Sequence, residues 1–155
     1  MQGSEIEAIL LHLPTITNHF VGVFSIDTLP KNLKRRTFII CNTAEQSKPG
    51  EHWICICKTD FEIEVFDSLG IDLSKKNLLL RFCKFKNTKD LKINETPFQS
   101  STTSTCGLFA IYFSIQRFHN LDLSFKTLLH EIFSKDILYN EEKVKTFVSN
   151  LPLRN

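Results

Sequence analysis

At 155 residues, with 42% hydrophobic side chains and fourteen phenylalanines, the chain suits one domain with a substantial core, spanning 1–155. A net charge of +2 sets up no whole-protein field that demands a nucleic-acid partner, and no stretch reaches the ~20 apolar residues of a membrane-spanning helix. Five cysteines, irregularly spaced behind a charged N-terminus without a hydrophobic leader core, speak against a disulfide scaffold and for a reducing, intracellular setting.

In chain order, Ser4-Glu5-Ile6-Glu7 fits a capping box, with Ile6, Ile9, Leu10 and Leu13 at helical spacing behind it and Pro14 as the stop. Val21 to Phe24 is a short β-prone run, and Thr37 to Asn42 reads as a buried strand. After a polar loop, Thr43 to Gly50, comes a strand from His52 to Lys58. Its period of two puts Trp53, Cys55 and Cys57 on one face and His52, Ile54 and Ile56 on the other. A tight turn at Thr59-Asp60 returns the chain through Glu62 to Asp67, which carries Asp67 back beside His52. Residues 74–83 have a helical apolar pattern, and Leu91 to Ile93 form another short strand. Cys106 to His119 is apolar nearly all round and predicts a central, covered helix. Two further helices follow, Ser124 to Phe133 and one capped by Asn140 with Glu141 and Glu142 in its first turn. The fold class is α+β, a sheet packed on a buried helix with flanking helices.

Basic residues cluster twice. Lys31, Lys34, Arg35 and Arg36 stand together without an acid, and Arg81, Lys84, Lys86, Lys89 and Lys92 face Asp90 alone. Such runs are usually solvated faces, and they are also where a nucleic acid would bind.

The chemistry concentrates around Cys106. A small polar loop feeds this cysteine into a helix N-terminus, where unpartnered amides and the macrodipole favour a thiolate. A thiol hydrolase needs that thiolate, an imidazole to share its proton, a group to orient the imidazole and donors for the oxyanion. His52 is the candidate base, Asp67 its orienting acid, and Gln99 a side-chain oxyanion donor beside the Cys106 amide. Each also has a structural reading: an inert buried thiol, a packed histidine, an Asx-turn at Asp67, a surface amide at Gln99. Cys55 and Cys57 lie mid-strand without a histidine cluster and are read as core packing, so no metal site is expected. His130-Glu131 lacks the second histidine of a zinc-protease helix, and no P-loop, dinucleotide fingerprint or serine elbow occurs.

These residues resemble the adenovirus-type cysteine endopeptidases, the adenains, distant relatives of the SUMO and ubiquitin-like-protein proteases. The resemblance rests on Gly3-Ser4-Glu5 before an amphipathic helix, Phe20 to Phe24, and Cys41 to Ala44 followed by Gly50-Glu51-His52-Trp53. It continues through Val65 to Gly70 and through Gln99 with Cys106-Gly107-Leu108-Phe109, and it covers about residues 1–115. It implies a papain-like site in permuted order, made of His52, Asp67, Gln99 and Cys106. The implied activity is cleavage of Gly-containing sites in viral capsid or core precursors by a monomeric protease in the host nucleus and virion. The chemistry requires no cofactor. The family's assistance by DNA would fall to Lys31, Lys34, Arg35, Arg36, Arg81, Lys84 and Lys86. Its activating peptide is joined through a disulfide, and no cysteine stands shortly before Gln99 to receive one. An acid of the Asp type and a short C-terminal third suit an adenovirus-like virus, a virophage or a Polinton (Maverick) element. Two other readings stay open: a protease that removes SUMO- or ubiquitin-like modifiers, and an inactive DNA-binding module on the same fold.

Overall fold

Five strands and five helices occupy residues 1–70 and 91–152, the part of the chain that the computed structural model describes. The strands are β1 (Phe20–Ser25), β2 (Thr37–Asn42), β3 (Trp53–Lys58), β4 (Ile63–Phe66) and β5 (Leu91–Ile93), side by side in chain order in one sheet. The outer pairs, β1 with β2 and β4 with β5, are parallel, and β2–β3 and β3–β4 are antiparallel. The helices are α1 (Gly3–Leu11), α2 (Pro14–Thr17), α3 (Cys106–His119), α4 (Phe125–Ile132) and α5 (Ile137–Ser149). The helix expected over 74–83 lies outside the described residues.

The alternation read along β3 sorts the core as expected. Cys55 and Cys57 are fully buried on the side that carries α1 and α3, with Trp53 packed against them. Ile54 and Ile56 join Ile39, Cys41, Ile63 and Val65 in a second apolar cluster on the opposite face. The Cys55 and Cys57 sulfurs sit 3.5 Å apart within the first cluster. Helix α3 runs across the sheet with every residue from Phe109 to Ile115 buried, which its all-round apolar sequence required.

An aromatic column ties this packing to the chemistry. Phe66 stacks on Phe113 of α3 at 4.4 Å and on Phe133 at 5.4 Å, and Phe133 stacks on Phe98 at 4.6 Å. Phe66 immediately precedes Asp67, Phe98 immediately precedes Gln99, and Phe113 lies two turns along the helix that Cys106 opens. Offset stacks of this kind add about 0.5–1.5 kcal/mol each beyond the area they bury. Three segments are thereby held in one register.

A buried ion pair fastens the far end of α3. Arg117 Nε lies 3.0 Å from Glu64 Oε2 on β4, both side chains almost wholly enclosed. The approach is not angled as a hydrogen bond, for neither atom has a hydrogen-bond partner among the described residues. Burial pushes the Glu64 carboxyl up to about 8 even though the Arg117 charge pulls it down. The rest of the guanidinium caps the helix end by donating to the carbonyls of Asn120, Leu121 and Leu123.

Three local expectations are corrected. Helix α1 is capped by Gln2, whose backbone N–H donates to the Glu5 carboxylate, rather than by Ser4. Pro14 ends α1 but also opens α2 at its first turn, where the missing N–H costs nothing. Helix α5 begins earlier than expected, with Asp136 accepting from the Tyr139 N–H as its cap. Asn140 is inside that helix and fully buried.

Candidate active site

The β3–β4 hairpin brings His52 and Asp67 together as its register dictates. Cys55 faces Phe66 across the ladder, so the register continued outward sets Ile54 opposite Asp67 and leaves His52 as its diagonal neighbour, within side-chain reach. His52 Nε2 lies 2.6 Å from Asp67 Oδ1, and both side chains are about one-tenth exposed. The same carboxylate oxygen accepts from the Leu69 N–H at 2.9 Å. The Asx-turn and the orienting-acid readings of Asp67 therefore hold at once, and the turn fixes the carboxylate for the ring.

With Nε2 engaged by the acid, Nδ1 is left for the thiol. Burial lowers the affinity of His52 for its proton, but hydrogen bonds to Asp67 and Cys106, reinforced by their charges, outweigh it and push the group from 6.5 up to about 9. Cys106 opens α3 half-buried. Burial alone would raise its thiol. The His52 hydrogen bond, the backbone N–H groups of Trp53 and Gly107 and the imidazolium charge bring it below its ordinary value instead. The two shifts are opposite and mutual, as in a thiolate–imidazolium pair.

Gln99 is enclosed, not on the surface: 2% of it is exposed. Its Oε1 accepts from the Ser68 hydroxyl at 2.6 Å, and its Nε2 donates to the Thr103 carbonyl at 2.9 Å and faces the Thr103 hydroxyl at 3.2 Å. The carbonyl can only accept, so the amide orientation is settled by its neighbours. Backbone bonds from Phe98 and Gln99 to the Ser68 carbonyl dock this segment on the acid turn. Gly70, at φ +74, permits that docking, since a Cβ there would collide with the Glu95 carbonyl. Gly107 serves close approach in another way: a Cβ would sit 3.1 Å from the Met1 sulfur and 3.3 Å from Trp53. The Trp53 indole N–H donates to the Met1 carbonyl at 3.2 Å, so the N-terminal residues border the nucleophile's helix.

Several residues that support the site escape sequence reading. Asn94 accepts from the Asp67 N–H at 2.9 Å and donates to the Asp67 carbonyl at 2.6 Å, holding the acid's backbone from both sides. Ser68, Thr103 and Glu141 reach the site through tertiary contacts, and the sequence motifs that contain them, the acid turn, the polar loop and a helix start, gave them no role there.

The basic candidates divide differently. Lys31, Lys34, Arg35 and Arg36 are exposed around the buried anchor Leu33. Arg36 is committed to Asp60 through a two-pronged contact with bonds of 2.7 and 3.0 Å. Arg81, Lys84 and Lys86 lie outside the described residues. Among the described residues no helix is long and apolar enough to cross a membrane.

No protein-family model matches the chain, and no curated protein matches it. Among solved structures, an AvrA deletion variant with IP6 and CoA is similar, with a TM-score of 0.53 and 14% identity over 88% of this chain and 54% of that one. The ASFV pS273R protease gives a TM-score of 0.42 and 20% identity over 74% of this chain and 43% of that one. The C-terminal Ulp1 protease domain, in complex with Smt3, the yeast orthologue of SUMO, gives 0.47 and 14% over 99% and 76%. The chain thus spans about half the length of AvrA and less than half that of the ASFV protease. The likeness to AvrA is one of fold, and in this chain that fold is an α+β arrangement with a mixed five-stranded sheet.

Proposed function

We propose that this protein is a cysteine endopeptidase of the adenain type, within the clan that includes the SUMO proteases, cleaving Gly-containing sites in viral capsid or core precursors as virions mature. The observation that carries the reading is the His52 ring held by Asp67 at 2.6 Å with Cys106 on its other side. In the proposed reaction the Cys106 thiolate adds to the scissile carbonyl, forming a C–S bond and a tetrahedral oxyanion. That oxyanion takes hydrogen bonds from the Cys106 backbone N–H, which has no intrahelical partner, and from Gln99 Nε2. The N–H now facing the Thr103 hydroxyl, the longer of its two contacts at 3.2 Å, is the one assigned to it. As the C–N bond breaks, the imidazolium of His52 passes its proton to the leaving amine, leaving a thioester on Cys106. Neutral His52 then takes a proton from water, whose oxygen displaces the sulfur and restores the thiolate–imidazolium pair. Asp67 keeps the ring in one tautomer throughout.

The test is turnover of Gly-Gly-containing peptides, blocked by a thiol alkylator. Retained cleavage by Cys106→Ala ends the proposal. Modifier deconjugation uses the same chemistry on a different substrate, and a panel of modifier–fluorophore conjugates separates the two, since a maturation protease prefers short peptides. AvrA is described with CoA, and an acyl-enzyme is common to hydrolysis and acyl transfer. An acyl-CoA arm therefore belongs in the same assay. Salt-dependent DNA affinity without turnover would favour the inactive binding module through Lys31, Lys34 and Arg35.

A further inference from the structure

Glu141 and Asn140, consecutive in the first turns of α5, grip the chain on either side of Gln99. Asn140 is fully buried; its Nδ2 donates to the Phe98 carbonyl at 3.3 Å and the Ser134 carbonyl at 2.8 Å, and its Oδ1 accepts from the Ser134 N–H. Glu141 is 5% exposed, and its Oε1 accepts from the Ser100 N–H at 3.0 Å and from the Thr103 hydroxyl at 2.6 Å. A 2.6 Å O–H to carboxylate contact is the length of a charge-assisted bond, so the Thr103 proton points at Glu141. The hydroxyl then has only lone pairs to offer Gln99 Nε2, 3.2 Å away. Thr103 also presents its carbonyl to the same nitrogen, and Ser68 holds the other end of the amide. The chain of contacts therefore runs from a buried carboxylate, through the Thr103 hydroxyl that anchors the residue, to the Thr103 carbonyl that holds one Gln99 N–H and leaves the other to turn to the oxyanion.

We propose that Glu141 is a positioning residue: it sets the 100–105 loop and, through the Thr103 carbonyl that holds one N–H of Gln99, the direction in which the other N–H is presented to the oxyanion. The inference rests on the thiol-endopeptidase reading. It is specific in consequence. A misaimed Gln99 weakens only the state in which the carbonyl oxygen carries charge, whereas thiolate formation depends on His52 and is left alone. Loss of one oxyanion donor typically costs about 10²–10³ in rate, and a donor that is misaimed but present loses part of that.

The experiment compares the wild type with Glu141→Ala, Glu141→Gln and Thr103→Val. For each, kcat and KM are measured on a Gly-Gly peptide, together with affinity for a peptide aldehyde, whose thiol adduct carries the oxyanion. Cys106 alkylation rate and amide exchange over 99–105 complete the set. Expected for Glu141→Ala is a kcat about 10–10²-fold lower, KM changed little, aldehyde affinity down in step and alkylation near wild type. Glu141→Gln keeps an acceptor oxygen and should recover most of kcat, and Thr103→Val should follow Glu141→Ala. Unchanged kcat and unchanged exchange in Glu141→Ala overturn the inference. So does a parallel loss of kcat, alkylation and fold that glutamine does not rescue, for then Glu141 is a stability residue only. Wild-type protein that turns over no peptide sinks the protease reading instead. Amide exchange still reads the clamp in that case: faster in Glu141→Ala supports it, unchanged overturns it.

Discussion

Replacing Asp67 with asparagine tests the electrostatics of the pair most sharply. The rise of His52 from 6.5 to about 9 corresponds to roughly 3 kcal/mol in favour of the imidazolium. Burial is the largest single influence and opposes that rise, so Asp67 and Cys106 together supply more than the net, and Asp67 has the stronger hydrogen bond of the two. Asp67→Asn keeps size and removes charge, leaving burial opposed by Cys106 alone. In the wild type the imidazolium survives until the pH passes about 9, which sets the alkaline limb of kcat/KM. In the variant that limb should move down by at least about one pH unit. The acid limb should move up, because the thiolate loses its cationic partner. The bell narrows from both sides, and kcat/KM near neutrality falls about 10²–10⁴-fold. The assay is a pH series of peptide turnover, with Cys106 alkylation measured alongside for the acid limb. A variant whose alkaline limb stays near that of the wild type would refute the reasoning.

Other predictions concern the scaffold. Glu64 holds its proton more tightly when folded, at about 8 against 4.5, whereas the proton that His52 gains is offset by the one Cys106 gives up. The Glu64 contribution is full below its unfolded value and lost as pH rises through the folded one, so Tm should fall between about pH 5 and 8; a Tm that climbs over that range would contradict the assignment. Measured at about pH 9, where the Glu64 carboxyl has lost its proton, Glu64→Ala strands the Arg117 charge and should cost about 3–5 kcal/mol in urea unfolding, whereas the double change Glu64→Leu with Arg117→Met should cost less than the sum of its parts. Additive losses would mean the pair is not coupled. Gly70→Ala combines positive-φ strain with a collision against the Glu95 carbonyl. It should cost at least about 2 kcal/mol and lower kcat as the 94–99 segment shifts off the acid turn, to be read by unfolding and turnover together. Wild-type behaviour in both would show that the turn yields easily.

Much of the sheet was legible because β2, β3 and β4 each carry an apolar period that only a buried strand explains. The hairpin register then carried His52 to Asp67 without any knowledge of the rest. Cys106 stood out because a small polar loop feeds it into the N-terminus of an apolar helix, where unpartnered amides favour a thiolate. What stayed hidden has one physical cause: side chains whose partners are distant in sequence. Asn140-Glu141-Glu142 looks like a helix start, yet Asp136 does the capping and Asn140 turns inward to Ser134 and Phe98. Asn94 has no local pattern at all, and the patterns that hold Thr103 and Glu141, a polar loop and a helix start, say nothing of their partners. Their roles follow from which backbone groups the fold leaves facing them. Pro14 was legible as a boundary but not as the start of α2, since a proline is tolerated at a helix start as readily as after its end.

The central claim is that one thiol, Cys106, is reactive because His52 holds its proton. Limiting iodoacetamide at neutral pH, with mass-spectrometric mapping and peptide turnover followed in the same sample, tests it directly. Cys41, Cys55 and Cys57 are buried, and burial raises the Cys41 thiol to about 12. The account predicts that, among the four described cysteines, label collects on Cys106, that turnover falls in step with it, and that His52→Ala slows this labelling. Turnover that persists with Cys106 fully labelled would contradict it, as would labelling of Cys106 that ignores the loss of His52.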